Sequence, residues 1–128
     1  MVKTSPAVQD YLKAIYLQAY EERREAAGQV STTALATRLK VSAASATNML
    51  KKLEAMGLVD WVSYRGASLT KSGLKAALEV IRHHRLLETY LAKAMGVPWD
   101  KVHAEAEVLE HFISEDLEER IATLLGDP

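Results

Sequence analysis

Apolar residues return every three or four positions along most of the chain, and the spacing shortens toward every second position in one stretch only. In SPAVQDYLKAIYLQAYEERREAAG, Leu12, Ile15, Tyr16 and Ala19 form a helical stripe. Ser5 is placed to cap this helix and Pro6 suits its first position, while the polar run from Glu21 to Arg24 and then Gly28 are expected to end it. STTALATRLKV reads as a short helix begun by a Ser/Thr cap. After a very tight connection, SAASATNMLKKLEAMG spaces Met49, Leu50, Leu53 and Met56 for burial and offers Gly57 as its C-terminal stop.

The period changes in LVDWVSYRGASLT. Val59, Trp61 and Val62 favour a strand, Arg65-Gly66 a turn, and Ala67 to Leu69 a return strand. A long helix is predicted from about Ser72 to Met95, stopped by Gly96-Val97-Pro98, and another from about Trp99 to Ile113. Ser114 then caps a last one, SEDLEERIATLL. Repeats, low-complexity tracts and long linkers are absent from the sequence.

Helix, short helix, tight turn, helix and hairpin, in that order, describe a winged helix-turn-helix, whose third helix enters the DNA major groove while the hairpin lies along the backbone. That helix begins with small polar residues, Ser42, Ser45, Thr47 and Asn48, which allow close approach to base edges; Asn can pair bidentately with adenine. Lys51, Lys52 and Arg65 are placed to meet phosphates. The competing reading is a helical hairpin with an incidental basic face.

Composition changes this picture in one respect. With 128 residues, 48% of them hydrophobic and 26% charged, the chain has the make-up of a globular protein. The net charge is −1, yet Ser31 to Ala76 contains seven Lys/Arg (Arg38, Lys40, Lys51, Lys52, Arg65, Lys71, Lys75) against Glu54 and Asp60, a local +5 that leaves −6 for the remainder. A basic middle flanked by acidic segments suits one surface for a polyanion and another for cations. Cysteine is absent, which excludes disulfides and thiolate metal sites. No apolar run has the length of a membrane span and no signal-peptide pattern precedes Ser5, so a cytoplasmic location is expected.

The acidic half concentrates metal-ligand chemistry. All four histidines lie between positions 83 and 111. On a helical wheel at about 100° per residue, His103, Glu107, Glu110 and His111 fall near 0, 40, −20 and 80°. Val102, Ala106, Leu109 and Ile113 form a separate apolar stripe, so the ligand-type residues border the face to be buried. Carboxylates a turn apart repel each other, and a divalent cation reverses that sign. His84 and Glu88, spaced i, i+4 on the preceding helix, add a second imidazole–carboxylate pair. A solvated acidic face is the competing reading.

DYLKAIY, VSAASATNMLKKLEAMGLV, HRLLETYL and DKVHAEAEVLEH, in that order along the chain, resemble the diphtheria toxin repressor and manganese transport regulator family of metal-dependent transcriptional repressors. The resemblance implies a mainly α architecture. A winged helix-turn-helix domain over residues 1–71 would be followed by a helical metal-binding and dimerisation domain over 72–128. It implies one metal site from Asp10, Glu107, Glu110 and His111 and an ancillary one from His84, Glu88 and His103. It further implies a homodimer that represses metal-uptake genes by binding palindromic double-stranded DNA operators when loaded.

Some manganese-type members carry a carboxylate three residues after the first ligand, where this chain has Lys13, so separate sites rather than a close two-metal cluster are expected. Iron-type members place sulfur ligands where this chain has Asp10 and Glu107. Three hard oxygens and one nitrogen suit Mn²⁺ first and Fe²⁺ second. Longer members continue past the point where this chain ends into a barrel-like domain. No enzymatic activity is expected. The alternatives are a winged-helix regulator with an organic effector and a metal–carboxylate enzyme; the latter lacks both an HExxH motif and the Glu-x-x-His pairs of a di-metal bundle.

Overall fold

The structure, a computed structural model, describes residues 5–21, 29–62 and 65–126. It is mainly α-helical: α1 (Pro6–Tyr16), α2 (Thr32–Leu39), α3 (Ala43–Ala55), a hairpin of β1 (Val59–Val62) and β2 (Gly66–Leu69), α4 (Lys71–Ala94), α5 (Trp99–Leu109) and α6 (Glu115–Leu124). The chain divides into two compact units, residues 1–78 and 79–128, with the boundary inside α4. Among the described residues no helix is long and apolar enough to cross a membrane.

The first unit is a winged helix-turn-helix. Serine hydroxyls start its three N-terminal helices: Ser5, Ser31 and Ser42 each accept a hydrogen bond from the backbone N–H three residues on, at 3.2, 3.0 and 3.1 Å. Each satisfies a donor that the helix itself cannot. Beyond Tyr16 the first helix does not simply continue; Leu17–Glu21 winds as a π-helical turn that buries Gln18 and Ala19. Its expected end at Arg24 and Gly28 lies outside the described residues. The tight α2–α3 connection is made by Lys40 in the left-handed conformation, φ 58°, its N–H donating to the Ala36 and Thr37 carbonyls. Leu12 and Ile15 of α1, Leu35 of α2, and Leu50 and Leu53 of α3 close over one another in a fully buried core, joined by Val30, Leu58 and Val59.

The wing is stitched to this core. β1 and β2 pair antiparallel with Val59 opposite Leu69 and Trp61 opposite Ala67, and Ala67 also exchanges backbone hydrogen bonds with Val30 at 2.8 and 2.9 Å. The Trp61 indole N–H donates to Thr32 Oγ1 of α2, and its backbone N–H donates to the Glu54 carboxylate of α3, both at 3.4 Å. Thr70 joins hairpin and α4: its hydroxyl donates to the Gly57 carbonyl at 2.7 Å and accepts from Gly73 N–H at 3.1 Å. The wing is therefore fixed to both helices that flank the turn.

The second unit is helical throughout its described residues. Leu86, Leu87 and Leu91 of α4, Val102 and Ala106 of α5, and Ile121 and Ala122 of α6 form its core. One expectation is corrected. The fifth helix stops at Leu109 rather than running to Ile113. Ser114 must be extended, φ −79° and ψ 160°, to cap α6 through its bond from Leu117 N–H, so the chain has to reverse over residues 110–113. Leu109 consequently drops out of the buried stripe and is 40% exposed, whereas Glu110 turns inward.

Gly66 is a position where the wing admits no side chain. Its φ is +108°, and a Cβ there would collide with the Val30 carbonyl oxygen. Gly66→Ala is expected to destabilise the first unit by about 1–3 kcal/mol, from strain at a positive φ and loss of the Val30–Ala67 bridge. Urea unfolding followed by Trp61 emission measures this; an unchanged midpoint would mean that the bridge does not hold the wing.

Candidate functional site

The first unit presents the outer face of α3. Ser45, Asn48, Lys51 and Lys52 are exposed along it, and so are Ala43 and Ala44, which the sequence reading passed over. Their methyl groups suit contact with a thymine methyl as well as serine suits a base edge. Ser42 is exposed, but its hydroxyl is engaged by Ser45, accepting from the backbone N–H and bonding the side-chain oxygen at 3.0 Å. Thr47 is half-buried on the flank of the helix, beside the buried Ala46 and Leu50. Arg65 is exposed at the tip of the wing. Small side chains at the start of α3 and cations toward its end make a surface suited to close approach to bases and to contact with phosphates.

The second unit gathers metal-ligand atoms around one imidazole. His84, on α4 and buried, has both ring nitrogens committed. Nδ1 lies 2.5 Å from Glu110 Oε2; a carboxylate oxygen only accepts, so Nδ1–H is the donor. Nε2 then turns its lone pair toward Glu88 Oε1 at 3.0 Å and His103 Nδ1 at 3.1 Å, and His103 Nδ1 stands 3.5 Å from Glu88 Oε2. The distances run to both Glu88 oxygens, and one ligand atom from each of the three residues lies within 4.8 Å of the other two. Donors about 2.1 Å from an ion and at right angles lie about 3.0 Å apart, so the set fits one divalent cation. The i, i+4 spacing of His84 and Glu88 on α4 and the facing of α5 bring it together.

EVLEH is divided by the end of α5. Glu107 stays exposed on the helix and its Oε1 is 3.3 Å from His103 Nε2. Glu110 and His111 lie beyond the helix, with side chains 1% and 8% exposed, and Glu110 Oε1 is 3.6 Å from His111 Nε2. The four residues placed on one arc by the wheel are therefore two outer and two inner ones. Asp10 is exposed on α1, in the first unit.

The sequence reading missed two buried residues beside this turn. His83 Nδ1 faces the Glu110 carbonyl oxygen at 3.4 Å, and its Nε2 pairs with Glu118 of α6, whose other oxygen pairs with Arg82. Burial pushes the His83 imidazole below its usual range, against the raising effect of the Glu110 carbonyl and of the Glu79 and Glu110 charges. Glu118 looked like one solvated acid among several in SEDLEER. Its spacing of three and four from Ile121 and Ala122, both buried, was the available signal.

A groove of about 530 Å³ crosses the same unit, lined by Leu87 and Leu91 of α4 and by Leu109, Phe112, Leu117 and Leu124 among others. Phe112 and Leu124 are 73% and 74% exposed, an apolar surface of the kind that a partner covers.

Comparison with known proteins gives two family matches that divide the chain. Residues 3–67 match the iron dependent repressor N-terminal DNA binding domain, and residues 70–128 match the iron dependent repressor metal binding and dimerisation domain. The chain is 33% identical over 117 residues to an uncharacterized HTH-type transcriptional regulator of Methanocaldococcus jannaschii, covering 91% of this chain and 90% of that protein. It is 38% identical over 94 residues to the iron-dependent repressor IdeR of Mycobacterium tuberculosis, covering 73% of this chain and 41% of that one. Among solved structures, a manganese-dependent transcriptional repressor in complex with manganese superposes with a TM-score of 0.80 at 46% identity, covering 94% of this chain and 53% of that chain. The chain thus spans about half the length of that repressor and less than half of the mycobacterial one.

Substitutions on the exposed face of α3 would separate base contacts from phosphate contacts. Asn48→Ala is expected to weaken binding to a selected operator by about 1–3 kcal/mol and leave binding to random DNA nearly unchanged. Lys51→Ala should weaken both and flatten the salt dependence. Fluorescence-anisotropy titrations at several salt concentrations distinguish them; equal losses on both DNAs for Asn48→Ala would remove it from base reading.

Proposed function

The chain belongs to the iron-dependent repressor family, and from that premise we propose that it is a manganese-responsive repressor, acting as a homodimer on palindromic operators of metal-uptake genes in the cytoplasm. It carries out no reaction in this reading; metal and DNA binding are the whole of its activity. The observation that carries the proposal is the cluster of His84, Glu88 and His103 ligand atoms, all within 4.8 Å of one another, beside the buried Glu110 and half-buried His111.

Two ligand sets are proposed. His84, Glu88 and His103 form the ancillary one, and the fit of their spacing supports it. Glu107, Glu110 and His111, with Asp10 from the first unit, form the other; here the support is the resemblance and the clustering of Glu110 with His111. Ser42, Ser45, Thr47 and Asn48 would read bases, and Lys51, Lys52 and Arg65 would hold phosphates.

A bound divalent ion supplies the positive charge that turns repulsion among these carboxylates into attraction. The protein's own groups do the rest. His84 donates Nδ1–H to Glu110, which holds that carboxylate in place and aims the His84 Nε2 lone pair at the ancillary set. Ligands drawn from both units would restrict the positions the reader can take relative to the dimer axis. A palindrome demands two reading helices about 34 Å apart, or a multiple of it, so such a restriction favours the operator-competent arrangement. Donors that are mostly carboxylate oxygen suit Mn²⁺, then Fe²⁺, although Zn²⁺ binds at least as tightly to most such sets.

Operator affinity measured with Mn²⁺ and again with chelator is expected to differ by about 5–150-fold, a coupling of about 1–3 kcal/mol. Mn²⁺ should activate more fully at saturation than Fe²⁺ or Zn²⁺. His111→Ala should remove most of the metal-dependent part and leave metal-free binding unchanged. Operator affinity that ignores chelator would sink the proposal, and a His111→Ala protein with the full response would take that residue out of it.

A further inference from the structure

Glu110 and His111 occupy the turn after α5, where no helical ladder holds the backbone in both directions. Glu110 is buried and His111 half-buried, and the peptide that joins them is held from outside the turn. The Glu110 carbonyl oxygen accepts from His83 Nδ1–H of α4 at 3.4 Å, and a carbonyl can only accept, so that nitrogen carries a proton. His83 Nε2 packs against Glu118 Oε2 of α6, an oxygen that accepts no hydrogen bond there, and Glu118 Oε1 meets Arg82. His83 and Glu118 are 5% and 6% exposed. None of the three belongs to either ligand set.

The peptide unit is planar, and the Glu110 carbonyl shares its plane with the α-carbons of Glu110 and His111. Holding that one oxygen therefore orients the roots of two neighbouring side chains together. We propose that His83 is a positioning residue for the Glu110–His111 ligand pair and that Glu118 orients His83, so that α6 helps to set the geometry of the metal site. The inference rests on the reading of Glu110 and His111 as ligands. Groups that orient ligands without touching the ion typically change metal affinity by about 10–100-fold when removed.

Mn²⁺ titration calorimetry and metal-free melting of the full chain test this in a set of variants. His83→Leu removes both contacts. His83→Leu with Glu118→Leu removes them without leaving an unpaired buried carboxylate, so it separates loss of positioning from loss of folding. His83→Asn places an amide nitrogen near the Nδ1 position and keeps the donor to Glu110. Glu118→Gln can donate to His83 Nε2 and leave Nδ1–H on the carbonyl.

The double-leucine variant should melt as a folded protein and bind the Glu110–His111 ion about 10–100-fold more weakly, with the His84–Glu88–His103 ion nearly unaffected. His83→Asn should recover part of the loss, and Glu118→Gln should stay within about threefold of the parent. Unchanged affinity in a folded double-leucine variant would overturn the inference. So would an equal fall at both sites, which means general loosening. His111→Ala is the separate control: if it removes no ion, the ligand reading itself fails and takes the inference with it.

Discussion

Glu110 is a carboxylate with 2% of its surface exposed, in a chain whose other acids mostly lie in solvent. Leaving such a group without partners costs several kcal/mol, and the structure of the second unit is organised around avoiding that. His84 meets one oxygen, His111 stands near the other, and His83 holds the carbonyl of the same residue. Those three imidazoles come from α4 and from the turn itself, so the buried carboxylate ties the turn after α5 to α4. It also decides which way His84 faces, since an Nδ1–H committed to Glu110 leaves Nε2 for Glu88 and His103. One buried charge thus arranges donor atoms on both sides of His84.

The first unit depends on a different economy. Its core is aliphatic, and its polar bonds are spent at junctions: serine caps at three helix starts, and Trp61 and Thr70 tying wing to helices. Full burial of Leu12, Leu35, Leu50 and Leu53, each contributing about 1.5–3 kcal/mol, leaves the outer face of α3 free of any structural duty. Residues there can be small or cationic because they are exposed. A wing bonded to its core beneath an exposed helix face is what a reading surface needs.

Much of this was legible in the sequence because it rests on local chemistry. Ser5, Ser31 and Ser114 announce helix starts, Gly57 announces a stop, and the change of period marks the hairpin, although Gly66, expected in its turn, pairs with Val62 as the first residue of β2. His84 and Glu88 share a face at i, i+4 whatever the tertiary structure does. What was not legible depends on contacts between helices. A wheel carried through Ile113 assumes that α5 continues, and only the need to cap α6 at Ser114 shows that it does not. Glu118 reads as a surface acid until α4 supplies His83 and Arg82 to receive it. Thr47 likewise reads as an exposed polar residue, and packing of α3 turns it partly inward.

The central claim is that two ligand sets, on either side of His84, each take a divalent ion. Crystals grown with MnCl₂ and measured near the manganese absorption edge would locate the ions without reference to any activity. One anomalous peak is expected bounded by His84, Glu88 and His103 and a second bounded by Glu110 and His111. Peaks elsewhere on the acidic surface, with both of these places lacking one, would contradict the claim.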